Sequence, residues 1–131
     1  MSRKHLFSAA LLLLALPVSA QEPAPDTAAV PATAPVPLSL EQRMLLRCSA
    51  AFALVANRQQ SGEQWALAFP PLATRGREFF VQSGALLLDE AGLDPAALNA
   101  LLQREAEGLV AANQLPQMMP VCLPLLEQPE F

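Results

Sequence analysis

The residues with types and spacing suited to chemistry are few. The densest polar group is Arg75-Gly76-Arg77-Glu78, which runs straight into Phe79-Phe80. An arginine grips a carboxylate through two parallel hydrogen bonds, so Arg75 and Arg77 form a candidate contact for an acidic partner. Glu78 lies three residues after Arg75 and can pair with it on one helix, which is also what a plain solvated face looks like. Asp89, Glu90, Glu105 and Glu107 are the acid–base candidates. Neighbours on a helix diverge by about 100°, so neither pair is preset to converge. Met44, Met118 and Met119 carry the soft sulfur that Cu(I) favours, but their apolar context makes core filling the expectation.

The cysteines, Cys48 and Cys122, are far apart and form neither Cys-x-x-Cys nor Cys-x-x-Cys-His. A thioredoxin-like exchange site and covalent c-type haem attachment are therefore not expected. The single histidine is His5, the single lysine is Lys4, and there is no tyrosine. Beyond residue 20 no Ser-His or Ser-Lys arrangement exists, and zinc of the usual His/Cys kind lacks ligands. The expectation is a non-enzymatic protein with no metal and no cofactor.

The first twenty residues explain where the histidine and lysine go. Arg3 and Lys4 precede an apolar run from Leu6 to Leu16, and Val18-Ser19-Ala20 supplies small residues at a cleavage site. This is the pattern of a secretory signal peptide cut after Ala20. The run is too short to span a bilayer, which takes about 20 residues, so no stable membrane span is expected after cleavage. Removal takes two basic residues from eight and none of the twelve acidic ones, so the net charge goes from −4 to −6. An acidic chain is a poor ligand for nucleic acid or an anionic membrane. Two cysteines in an exported chain point to one disulfide, and a periplasmic location is expected.

The elements follow from the same reading. Residues 21–37 are rich in Pro and Ala and lack large side chains, so a disordered tether is expected there. Residues 38–127 read as an all-α domain, with 128–131 as a tail. Ser39 and Gln42 fit a capping box opening a first helix, Leu40 to Gln59 or Gln60, with Leu45, Cys48, Phe52 and Val55 on one face. Ser61-Gly62 stops it. A brief helical turn around Trp65 pins the crossover to the core. A second main helix is expected from about Leu72 to Glu90 or Ala91, with Pro70 or Pro71 at its start. Gly76, Ser83 and Gly84 within it mark either a kink or a close approach by a neighbouring helix, and close packing is the commoner reason. Asp94 caps a third helix ending near Ala112. Pro116, Pro120 and Pro124 divide the apolar tail into one or two short turns, held by Cys122. The fold class is thus a small bundle of three main helices plus short helical turns, stapled by one long-range disulfide.

Small size, a signal peptide, and one cysteine in an early helix with another late resemble the exported acid-stress chaperones of the HdeA type. Those proteins are lysine-rich, and this chain has no lysine after Lys4. The resemblance implies a stress-opened helical protein that holds clients, and it carries over no site residue. The stretches Cys48–Phe52 and Pro70–Phe80 also resemble small bacterial envelope proteins. The functional expectation is an exported helical protein that binds another envelope protein or apolar peptide, with self-association open to it. The alternatives are an acid- or stress-responsive periplasmic chaperone and a small-ligand carrier.

Overall fold

The computed structural model describes residues 37–128. The expected signal peptide, nearly all of the expected tether and residues 129–131 lie outside them. The chain order is α1 (Leu40–Gln60), α2 (Gln64–Leu67), α3 (Arg75–Glu90), α4 (Pro95–Ala111), α5 (Leu115–Cys122) and a 3₁₀ turn (Leu123–Glu127). No strand occurs among the described residues.

Local chemistry sets most boundaries. Ser39 Oγ accepts from Gln42 N at 3.1 Å and Gln42 Oε1 accepts from Ser39 N at 2.9 Å, a complete capping box. Asp94 Oδ1 accepts from Ala97 N at 2.7 Å at the start of α4. Behind α1 and α3 the chain reverses at Gly62 (φ 75°) and Gly92 (φ 62°), backbone that a β-carbon disfavours.

α1 is the spine. Leu45, Cys48, Phe52 and Val55 are all buried, and α2, α3, α4 and α5 each pack on this helix. α3 lies close to it because the facing residues are small. A β-carbon built on Gly76 would sit 3.3 Å from the β-carbons of both Phe52 and Leu72. One turn along, Ser49 Oγ and Ser83 Oγ meet at 2.6 Å inside the protein. Ser83 Oγ donates to the Phe79 carbonyl at 2.7 Å, so Ser49 is the donor of the pair and both hydroxyls are satisfied. Phe52 and Phe79 stack edge to face with centroids 5.1 Å apart. A second apolar cluster, Leu46, Leu87, Leu93 and Leu98, closes the end of the bundle where Leu38 enters.

Two elements differ from expectation. α3 begins at Arg75 rather than Leu72, without a proline in its first turn. The side chain of Gln59 explains this. Its Nε2 shares two hydrogens among the carbonyls of Ala66 (3.1 Å), Phe69 (3.2 Å) and Pro70 (2.9 Å), while its Oε1 accepts from Leu72 N at 3.0 Å. Together these bonds from one amide hold the crossover off a helical path and bring Leu72 into the core. The apolar tail forms a regular helix, α5, that continues through Pro120. Pro116 sits in the first turn, where a missing N–H costs nothing. The N–H absent at Pro120 would have met only the Pro116 carbonyl. Against that single loss, Leu115, Met119 and Cys122 all reach the core from one face.

The expected disulfide is present. Cys48 and Cys122 are joined across 74 residues, and both are fully buried. A loop of this length gives a chain-entropy stabilisation of about 4 kcal/mol. The double variant Cys48→Ala/Cys122→Ala is expected to melt at least about 15 °C below the oxidised protein. Calorimetry of the two forms at equal concentration checks this, and equal melting temperatures would contradict it.

Candidate functional site

The Arg75–Glu78 group does not form one site. α3 divides it between two faces. Arg75, Glu78, Phe79 and Gln82, spaced as one helix face, line a cleft toward the 3₁₀ turn. Arg77 lies one turn before Phe80 on a different face, is exposed, and makes no hydrogen bond or ion pair with the described residues. Arg75 turns to the C-terminal segment instead of Glu78. It bonds the Leu126 carbonyl and pairs with Glu127 Oε1 at 3.2 Å. The reason is positional. A cation at a helix N-terminus opposes the helix dipole, and the carbonyl and carboxylate of the 3₁₀ turn offset that; Glu78 in the same first turn is favoured as it stands. Both partners are more than half exposed, at 52% and 74%, so the bridge contributes at most about 1 kcal/mol. Arg75→Ala is expected to leave global stability nearly unchanged. It should speed amide exchange locally between Leu125 and Gln128, read by hydrogen-exchange mass spectrometry.

The other candidates also separate. Glu105 pairs with Arg47 at 3.1 Å, and Arg47 reaches Gln114 Oε1 at 2.6 Å, so this arginine ties α1 to α4 and to the α4–α5 turn. Asp89, Glu90 and Glu107 are exposed and line none of the clefts described here. Met119 is fully buried, with Met44 and Met118 packed against the same core. Among the described residues no three His, Cys, Asp or Glu side chains are grouped to hold a metal ion.

Two features escaped the sequence reading. One is a polar triad beside the α1–α2 reversal. Arg58 Nη1 donates to Glu63 Oε1 at 2.7 Å, and Trp65 Nε1 donates to Glu63 Oε2 at 2.7 Å. The Arg58 guanidinium first, and the Trp65 indole N–H second, hold the Glu63 carboxyl below its ordinary value. Its only sequence signal was an Arg and a Glu flanking Ser61-Gly62, where a reversal brings them together.

The other is an apolar notch of ≈ 250 Å³ on the outer side of α1. Ala50, Ala53 and Leu54 form its floor, Phe80 of α3 one wall, and Leu102 and Ala106 of α4 the other. Gln103 is the polar residue on its edge. α3 and α4 approach at Gly84 and Leu98, where a β-carbon on the glycine would lie 3.7 Å from Leu98 Cδ2. Toward Phe80 and Ala106 they leave the alanines of α1 between them. Phe80 is 36% exposed in that wall, and Val81, which follows it on α3, is 62% exposed.

No family model, curated protein or solved structure matches this chain.

Glu63 gives a pH prediction with a definite sign. Its folded pKa is lowered, so its contribution to stability is complete above the ordinary glutamate range, near 4.3, and is lost as pH falls through the folded value. Trp65 is the single tryptophan and bonds the same carboxylate, so its emission reports the titration. A step in Trp65 emission is expected below the ordinary carboxylate range, and it should vanish in Glu63→Gln.

Proposed function

We propose that this is an exported, non-enzymatic helical protein of the bacterial periplasm that captures an apolar helical segment of another envelope protein. The observation that carries the reading is the notch between α3 and α4 over Ala50 and Ala53. Ala53, exposed on the helix surface, lets a partner approach closely, while Phe80 and Leu102 provide apolar walls for an anchor side chain. The notch is about one helical turn long, since its α1 residues span Ala50 to Leu54 and its α4 residues span Leu102 to Ala106. That length suits one or two large apolar anchors of an amphipathic helix, the common mode of groove recognition. Exposed Val81, next to Phe80 on α3, adds apolar surface on that side. Arg77, without an ion pair among the described residues and one turn from Phe80, is placed to meet an acidic residue flanking the anchor. Its role in an acidic contact therefore belongs with the notch, whereas Arg75 is engaged by the protein's own C-terminal turn.

Ala53 is exposed, and arginine is nearly as good a helix former as alanine, so Ala53→Arg fills the notch without touching the core. A photo-crosslinker at Gln103, on the notch edge, is expected to join the protein in cells to a discrete envelope partner through an apolar helical segment. In the Ala53→Arg background that crosslink should fall at least about tenfold, a loss of about 1.4 kcal/mol, while the melting temperature moves by less than about 3 °C. Equal crosslinking in both backgrounds would refute the reading.

A further inference from the structure

The polar triad lines a second cleft, of ≈ 370 Å³, between α2, the end of α4 and the start of α5. Its floor is apolar, made by the buried side chains of Leu109 and Leu115. Arg58, Glu63, Trp65 and Asn113 contribute the polar and aromatic part of its lining.

Three of these side chains, Arg58, Glu63 and Trp65, are held before any ligand arrives. Glu63 receives Arg58 on one oxygen and Trp65 on the other, which fixes both the carboxylate and the indole. Trp65 is braced further by Phe69, edge to face at 6.4 Å. Asn113 follows the last turn of α4 in the left-handed region, at φ 51°, and its side-chain amide makes no hydrogen bond with the described residues. Such preorganisation lowers the cost of binding.

The chemistry of the lining narrows the ligand. Arg58 and Glu63 neutralise each other at 2.7 Å, so the cleft offers no net charge. An anion would compete with Glu63 for the guanidinium, and a cation would meet Arg58. A wholly apolar ligand would leave the Asn113 amide and the remaining Arg58 donors without partners, which is unfavourable. A neutral ring with one apolar face and an edge of hydroxyl groups satisfies both halves of the surface. Its face lies against the indole and the leucine floor, and its hydroxyls donate to and accept from Asn113 and accept from Arg58. The cleft volume falls at the lower end of small-molecule pockets, which suits one or two such rings. We propose that this cleft is a binding site for a neutral pyranose, within a glycan or as a free sugar.

Trp65, the single tryptophan, sits in the site and reports on it directly. The experiment titrates the oxidised protein with glucose, N-acetylglucosamine and their β-linked disaccharides, following Trp65 emission and the amide resonances of Glu63 and Asn113. Choline and acetate serve as charged controls. A saturable change with at least one neutral saccharide, and none with the controls, is the expected result. Asn113→Gly keeps the left-handed backbone and removes the amide, and should weaken the response at least tenfold. Asn113→Asp keeps the same backbone preference and adds a charge, and should weaken it as well. The proposal is overturned if no saccharide gives a saturable change, if choline or acetate gives an equal one, or if both variants bind as the native protein does. The notch over Ala53 is not involved, so Ala53→Arg should leave the saccharide titration unaltered.

Discussion

The bond between Cys48 and Cys122 joins the middle of α1 to the last turn of α5, and neither sulfur is reached by solvent. Everything that packs between these two residues packs on α1. Phe52 and Val55 lie one and two turns beyond Cys48 on the same face, and Leu109, Leu115 and Met119 close over them. The covalent link matters because the C-terminal helix would otherwise be weak. α5 has eight residues, no side-chain cap and a proline in its interior, and a helix of that length does not stand alone in water. The disulfide removes much of the entropy that would favour its release, and the apolar stripe then holds it flat.

Small side chains on α1 decide how its remaining surface is used. Where Ser49 meets Ser83, and where Gly76 meets Phe52, the two helices lie in close contact and nothing else fits between them. Where Ala53 is left exposed beside buried Ala50, the same smallness leaves a notch. One property of the helix thus produces both a close helix contact and an apolar opening. A large residue at Ala53 would fill the opening with the protein's own side chain.

Polar side chains do the work of connection where helices end. Arg47 reaches from α1 to α4 and the turn that follows it, Gln59 holds the crossover between α2 and α3, and Arg75 holds the 3₁₀ turn. Arg58, Glu63 and Trp65 do the same at the α1–α2 reversal and, in doing so, line a cleft with ordered polar groups. These contacts are half exposed and individually modest. Their consequence is geometric, because they position loops that the apolar core alone would leave free.

The sequence by itself determined the features that depend on residues three or four apart. The capping box at Ser39, the Asp94 cap, the buried face of α1 and the stops at Gly62 and Gly92 all rest on such local spacing. The cysteine pair was legible for a different reason, since a chain with two cysteines has one way to pair them within itself. What tertiary structure alone decided are the contacts closed across long separations. Arg75 sits three residues from Glu78 yet bonds residues 51 and 52 further along, because α3 points its first turn at the returning C-terminus. The length of α5 was settled the same way, by Met119 and Cys122 entering a core that the local proline pattern could not anticipate. The notch gathers side chains from three helices, and the polar cleft from two distant stretches, 58–65 and 109–116. No spacing along the sequence encodes such a gathering, since it exists only once α1 has set the distances between the helices laid upon it.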